Sequence, residues 1–304
     1  MRLEGKVVLV TASTRGIGLA ITKACAKEGA IVYMAARNLE KADALIKEFT
    51  ESGYRVKSVY NDAYKKETYE TMVKEVIEKE GKIDVLVNNF GTSNPQKDKD
   101  IKGTDYNEFI GTIDANLGSV YLASQAVIPY MEKNGGGSII NISSIGGLVP
   151  DISQIAYGTS KASINYLTKL IAVMEARNNI RCNAVLPGMT ATDAVKDNLT
   201  EDFKNFFLKH TPIKRMGTPE EIASTVLYFA SDDSAYTTGQ IVEVSGGSFG
   251  SFPLEGAVAQ VMVAQRRQRI AERDGTVGFL SIRVYGENTY GSGIYGPVLP
   301  RRQQ

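Results

Sequence analysis

The stretch Val7-Val-Leu-Val-Thr-Ala-Ser-Thr-Arg-Gly-Ile-Gly18 decides the fold. Val7 to Thr11 is a short β-branched, apolar run, the composition of a parallel strand covered on both faces. It passes through a turn containing Gly16 and Gly18 into a helical pattern from Ile17 to Glu28. Strand, glycine turn and helix in that order bring the unpaired N–H groups of the helix's first turn to the carboxyl end of the strand, where they favour a bound pyrophosphate. Thr11, Ser13, Thr14, Arg15, Gly16, Ile17 and Gly18 are therefore candidate cofactor-binding residues.

Outward from this unit the pattern repeats. Ile31 to Ala35, Val56 to Tyr60, Ile83 to Asn88, Ser138 to Ile142, Arg181 to Leu186 and Gln240 to Val244 read as further strands. Helical patterns lie between them at Leu39 to Glu51, Glu67 to Glu80, Tyr106 to Met131, Ala156 to Arg177 and Pro219 to Ala230. This alternation predicts an α/β protein with a single doubly wound, Rossmann-type parallel sheet of about seven strands, helices on both faces and right-handed crossovers.

The 304 residues allow two domains of about 150, yet single α/β domains of about 250 are ordinary. The expected division is a domain at 1–250 and a tail at 251–304. Residues 1–250 hold 21 Lys and 7 Arg, whereas 251–304 hold no Lys and 7 Arg, and nothing after Ser251 completes an earlier motif. Ala257 to Arg273 reads as one helix. A segment foreign to the domain, such as a shifted reading frame adds, is the expected origin; an arm over a neighbour or over the substrate mouth is the alternative.

A dinucleotide site that takes NAD usually carries Asp or Glu about 20 residues past the glycine turn, accepting from the ribose 2′-OH. Here the second strand ends Ala35-Ala36-Arg37-Asn38, without a carboxylate. Arg37 and Arg15 can approach a 2′-phosphate from two sides through charge-assisted bonds, so NADP is the expected cofactor, with Asn38 on the same edge. Asp62, followed by Ala63 after the third strand, either accepts from the adenine amino group or caps the next helix.

Tyr157-Gly-Thr-Ser-Lys161 places a phenol and an ammonium on one helix face, one turn apart. A free Tyr titrates at about 10, and an adjacent fixed cation is expected to lower that value toward use at neutral pH. Tyr157 then takes a proton from an alcohol as hydride leaves its carbon, and returns it in the reverse direction. Ser144 stands at the end of a predicted strand, where its hydroxyl can hold the substrate oxygen; Ser143 competes for that place, since alternation lets only one face the crevice. Asn116, polar amid Ile113, Leu117 and Val120, reads either as a satisfied core amide or as the holder of a water linking Lys161 to solvent.

Together with Asn88-Asn-Phe-Gly91, Pro187-Gly-Met-Thr-Ala-Thr192 and Val244-Ser-Gly-Gly247, these residues resemble a short-chain dehydrogenase/reductase, in the family's order over about residues 1–250. The resemblance implies a catalytic tetrad of Asn116, Ser144, Tyr157 and Lys161. It places Asn89, Phe90 and Gly91 on the adenine side, and Pro187, Gly188, Thr190 and Thr192 on the nicotinamide side, and it implies a homo-oligomer, usually a homotetramer. Within the family, NNFGTSNP, GGGSIINISSIGGLVPDISQIAYGTSK and NIRCNAVLPGMTATDAV are similar to the branch of NADP-dependent 7α-hydroxysteroid dehydrogenases of bile-acid-transforming anaerobic bacteria. That implies reversible oxidation of the 7α-hydroxyl of a bile acid to a 7-oxo group. Ala12 stands where the family commonly has the first loop glycine, and its Cβ predicts a negative φ there.

Phe203, Phe206, Phe207 and Leu208 form an apolar cluster that reads either as a cover for a steroid or as ordinary core, with Lys209 and His210 following toward an anionic side chain. A reductase of acyl-carrier substrates sharing the tetrad is the alternative enzyme. A non-catalytic NADP-binding regulator would be expected to lack Ser, Tyr or Lys of the tetrad.

Composition narrows the field further. Hydrophobic residues at 43% and charged residues at 23% match globular usage rather than a disordered chain. Lys+Arg at 35 against Asp+Glu at 34 leaves a formal charge of +1, without the basic excess of a nucleic-acid binder. Cys25 and Cys182 are far apart and His210 is the only histidine, so neither a metal cluster nor a Ser-His-Asp triad has enough parts. No run of about 20 apolar residues is present, and the start MRLEGKVVLVTAS lacks a cleavage signal. No nucleic-acid or membrane partner is expected, and the expected location is the reducing cytoplasm.

Overall fold

A computed structural model describes residues 1–150, 153–193, 195 and 201–248, apart from the side chains of 202, 203 and 206. The predicted tail helix, Ala257 to Arg273, lies outside the described residues. Seven strands form one parallel sheet: β1 (Val7–Thr11), β2 (Ile31–Ala36), β3 (Arg55–Tyr60), β4 (Val85–Asn88), β5 (Gly137–Ile142), β6 (Ile180–Pro187) and β7 (Ile241–Val244), in the order β3-β2-β1-β4-β5-β6-β7. The helices are α1 (Gly16–Lys27), α2 (Leu39–Glu51), α3 (Glu67–Glu80), α4 (Tyr106–Lys133), α5 (Ile155–Glu175), α6 (Glu201–His210) and α7 (Pro219–Ala230).

The apolar runs form strands because both of their faces are covered. Val8 and Val10 of β1 and Val32 and Met34 of β2 join a layer with Ile21 and Cys25 of α1, Phe49 of α2 and Ile222 and Val226 of α7. Val7, Leu9, Tyr33 and Ala35 point the other way, onto Met72 and Val73 of α3, Val127 and Met131 of α4 and Ile171 of α5, in a layer that also holds Cys182. Each position switches layers at every step, as the two-residue repeat of a strand requires.

Helix starts follow local chemistry. Asn38 accepts from Lys41 N at 2.9 Å before α2, and α7 opens with a reciprocal capping box of Thr218 and Glu221 with Pro219 in the first turn. Some boundaries differ from the sequence pattern. Ile83 lies before β4, because Asp84 uses its carboxylate to accept from Val7 N (2.7 Å) and its own N–H to reach Val7 O (3.0 Å). Helix α5 stops at Glu175 in a 3₁₀ turn, Ala176–Asn178, closed by Asn179 at φ 58°.

The sheet grows from β1 in opposite directions, through β2 and β3 on one side and from β4 onward on the other. That reversal opens a crevice above the carboxyl ends of β1 and β4, at Thr11 and Asn88. The described residues gather into one compact unit. Among the described residues no helix is long and apolar enough to cross a membrane.

Candidate active site

At the end of β1 the chain turns sharply through Ala12, whose φ is 51°. This corrects the expected negative φ. The left-handed conformation is held from outside: Asn89 Nδ2 donates to Thr11 O (3.0 Å) and Ala12 O (3.1 Å), so the turn is fixed by β4's end and tolerates the Cβ strain. Thr11 Oγ1 accepts from Asn89 N (2.9 Å) and Phe90 N (3.1 Å), and Ser13 Oγ donates to Val10 O (3.0 Å). Both hydroxyls are buried and spent on the loop, and neither faces the crevice. The loop's opening to a ligand is its backbone instead. Arg15 offers no side-chain cap to α1, and among the described residues nothing accepts from the N–H groups of Gly16, Ile17 and Gly18. A Cβ at Gly18 would stand 2.6 Å from Asn89 Nδ2 and 2.7 Å from Ala12 O, so only glycine fits that cradle.

Arg15 and Arg37 are exposed at the edge of this loop, and among the described residues neither guanidinium has a hydrogen-bond or ion-pair partner. Asn38 caps α2. Asp62 Oδ1 accepts from Tyr64 N (3.1 Å) in a turn, while α3 begins only after Lys66, so Asp62 is not that helix's cap. Phe90 packs edge-on to Tyr64, with ring centroids 6.2 Å apart.

Ser144 and Tyr157 meet at the end of β5. Ser144 is half-buried in the crevice and its Oγ accepts from Gly146 N (3.1 Å), whereas Ser143 is buried and donates to Lys161 O (3.1 Å). Both serines border the cleft, but it is the Ser144 residue that is half-exposed there, while the Ser143 hydroxyl is turned to α5. Burial raises the Tyr157 phenol above its usual value, and a hydrogen bond with Ser144 pulls partly against that rise. Lys161 Nζ stands 5.6 Å from the Tyr157 ring centroid and donates to Ile142 O at 2.9 Å; burial lowers its pKa to about 8. The expected lowering of Tyr157 by Lys161 is therefore corrected: loss of water acts on both groups and disfavours both charged forms.

Asn116 is fully buried behind this wall. Its Oδ1 accepts from Thr92 N (2.8 Å), and its Nδ2 donates to Thr92 O (2.9 Å) and Ser160 Oγ (3.0 Å), which uses every donor the amide has. The side chain is a brace between α4, α5 and the segment after β4, matching the satisfied core amide rather than the water holder.

Ser144, Tyr157 and Lys161 share one cleft of about 1820 Å³, whose walls do not include Asn116, Arg15, Arg37, Gly16, Gly18, Asp62 or Phe90. Its walls include Ile17, Ala63, Asn89, Gly91, Ser144, Tyr157, Lys161, Pro187, Gly188, Thr190 and Thr192. Of the apolar cluster, Phe207 reaches the cleft, Leu208 is half-buried beside it, and the side chains of Phe203 and Phe206 lie outside the described residues. Ser93, Gln154 and Met189 also line the cleft; each stands inside a stretch that carries the resemblance, but none was singled out from sequence.

The family described as enoyl-(acyl carrier protein) reductase matches residues 11–248. The chain belongs to the short-chain dehydrogenase/reductase family. It is 55% identical over 246 residues to a 7α-hydroxysteroid dehydrogenase of Clostridium sardiniense, covering 81% of this chain and 94% of that one. It is 38% identical over 247 residues to a 3-oxoacyl-(acyl-carrier-protein) reductase of Thermotoga maritima, covering 81% and 99%. A solved 7α-hydroxysteroid dehydrogenase, complexed with NADH and 7-oxo glycochenodeoxycholic acid, superposes with a TM-score of 0.77 at 34% identity over 81% of this chain and 95% of that one.

As a short-chain dehydrogenase/reductase the protein is an oxidoreductase acting on CH–OH groups, with a nicotinamide cofactor. The residues fit that group: the uncapped amides of α1 and the space kept by Gly18 suit a pyrophosphate.

The depressed pKa of Lys161 has a sign for stability. The fold disfavours its charged form, so the penalty is full below about 8 and vanishes above the unfolded value of about 10.4. Lys161→Met is expected to raise the stability of the fold by about 1–3 kcal/mol near neutral pH while abolishing turnover. Thermal melts between about pH 7 and 10 check this; the gain should shrink as pH rises.

Proposed function

We propose that this chain is an NADP-dependent 7α-hydroxysteroid dehydrogenase, reversibly oxidising the 7α-hydroxyl of bile acids of the cholate and chenodeoxycholate type to a 7-oxo group. The observation that carries this reading is the likeness to the 7α-hydroxysteroid dehydrogenases over nearly their whole length, in a chain that keeps Ser144, Tyr157 and Lys161 at one crevice. The Thermotoga likeness supports a weaker second reading, an acyl-carrier reductase, at lower identity.

In this mechanism the bound cofactor supplies the hydride acceptor. Ser144 Oγ holds the substrate oxygen and stabilises the charge that develops on it. Tyr157 Oη takes the hydroxyl proton as the carbonyl forms, and gives it back in reduction. Burial alone keeps Tyr157 as the phenol; the positive charge of an oxidised nicotinamide, added to that of Lys161, would favour the phenolate that takes the proton. Asn116 braces the wall that carries them. The cleft exceeds the roughly 300–1,000 Å³ of a single small-ligand pocket, in keeping with a dinucleotide and a steroid side by side.

Gly16, Ile17 and Gly18 hold the pyrophosphate through their amides in this reading, and Thr14 completes the loop. Arg15 and Arg37 receive the 2′-phosphate, Asp62 and Ala63 border the adenine with Asn89 to Gly91, and Pro187, Gly188, Thr190 and Thr192 line the nicotinamide side. Thr11, Ser13, Asn38 and Phe90 support the loops that make these contacts. Two free, buried cysteines suit the cytoplasm.

A homotetramer is supported by an exposed apolar face on α4 and α5, including Ile110, Tyr121, Tyr166 and Leu170, which a second copy can cover. The tail is outside this scheme. A chain ending at Pro253 is expected to sediment as four subunits and to oxidise cholate like the full chain. A one-subunit mass for the full chain would overturn the tetramer, and a loss confined to the shortened chain would assign the tail a role.

Tyr157→Phe keeps the ring and removes the proton, so turnover should fall about 10²–10⁴-fold while the cofactor still binds. A spectrophotometric panel of 3-, 7- and 12-hydroxy bile acids and acyl-thioester substrates tests the substrate: the 7α-hydroxyl should be oxidised, and preference for the thioesters would select the second reading.

Cofactor choice follows from charge. The 2′-phosphate carries roughly two negative charges, and each charge-assisted contact contributes about 1.5–3 kcal/mol before screening. After heavy discounting for the exposure of Arg15 and Arg37, kcat/KM for NADP should still exceed that for NAD at least about tenfold. Ala36→Asp combined with Arg37→Ala should reverse the order. Equal use of NAD by the unaltered protein would show that the two arginines point elsewhere.

A further inference from the structure

Helix α5 starts without a cap of its own. Gln154, just before it, is left-handed at φ 56° and ψ 47° and lends no side-chain cap. The free N–H groups of the first turn are met from the segment after β4. Lys99 O accepts from Ile155 N (3.1 Å), and the two carboxylate oxygens of Asp98 accept separately from Ala156 N and Tyr157 N, both at 2.9 Å. Asp98 is fully buried, although it sits in a run, Gln96-Lys-Asp-Lys-Asp100, that reads as solvated loop.

The segment is itself held. Asp98 N donates to Asn94 O (2.8 Å), Ser93 Oγ donates to Gln154 Oε1 (2.5 Å), and the Asn116 amide grips both backbone groups of Thr92. Ser93, Asn94 and Pro95 line the cleft, so one segment both forms part of the substrate wall and caps the helix that carries the phenol.

We propose that Asp98 is a positioning residue for the reaction, fixing Tyr157 through its backbone N–H; this rests on the reading of Tyr157 as the proton-transfer group. A carboxylate at a helix N-terminus is favoured by the dipole, and its bonds to the amides are charge-assisted. An end turn without such partners frays, whereas here the reacting residue belongs to an anchored turn. Proton transfer needs that precision, since a displacement of about 1 Å costs on the order of 100-fold in rate.

Asp98→Asn keeps the size and one acceptor but turns a donor toward the other amide. Its kcat should fall about 10- to 100-fold. The cofactor's KM, and its dissociation constant by reduced-nicotinamide fluorescence, should stay within about twofold, because the pyrophosphate loop is untouched. A kcat within about twofold of the unaltered chain, measured well below the variant's melting temperature, would overturn the proposal. Should Asp98→Asn not fold, Asp98→Ser takes its place. In the unaltered chain, amide exchange at Ala156 and Tyr157 should be as slow as in the middle of α5; exchange at the rate of an unprotected helix end sinks the proposal without any variant. Tyr157→Phe run alongside separates the two claims. If it stays active, the reading of Tyr157 fails; if it is dead while Asp98→Asn is fully active, only Asp98's role fails.

Discussion

Lys161 carries an ammonium that is 2% exposed, and the end of β5 is arranged to receive it. A buried charge with no partner strongly destabilises a core. Here Ile142 O accepts from Nζ, Gly91 leaves room beside it where a Cβ would come within 3.0 Å, and Ser143 ties the Lys161 carbonyl back to β5. Strand, loop and helix are thus shaped around a single buried cation that costs the fold stability. Since burial lowers Lys161 and raises Tyr157, the pair rests near neutral pH as ammonium and phenol, with the proton loaded for reduction. A second positive charge brought beside them would tilt the balance toward the phenolate and oxidation.

A second constraint is the seam between β1 and β4. Asn89 donates to Thr11 from both its backbone N and its side chain, which locks the glycine loop to the start of the crevice wall, and Asn88 reaches across to Ser124 (3.3 Å) and Asn141 (2.9 Å). Two residues that resemble ligand contacts in sequence thereby serve the scaffold. The ligand's share falls to backbone amides, which a sequence does not display.

The fold was legible because its signals were local. Apolar runs in β1 and β2 had one meaning once both faces were covered, and α2 and α7 span the same residues that their helical patterns gave. Tyr157, Lys161 and Ser144 were legible by spacing along a helix and by the end of a strand. What escaped was set by distant partners. The φ of Ala12 depends on Asn89, the start of β4 on how Asp84 meets Val7, and the direction of the Tyr157 shift on how much water the wall excludes. Asp98 was hidden most fully: a carboxylate in an alternating Lys-Asp run gave no sign that it would be buried against a helix 58 residues away.

The two cysteines lie in opposite layers of the sheet, Cys25 on the buried face of α1 and Cys182 on β6 beneath α5. Burial pushes the Cys25 thiol up to about 12 and raises Cys182 as well, so neither forms the thiolate that alkylating reagents and oxidants attack. Native protein should therefore need no reductant for storage. Any labelling of either thiol counts openings of the layer that covers it, which makes the pair a built-in gauge of whether the two faces of the sheet come apart together or one at a time.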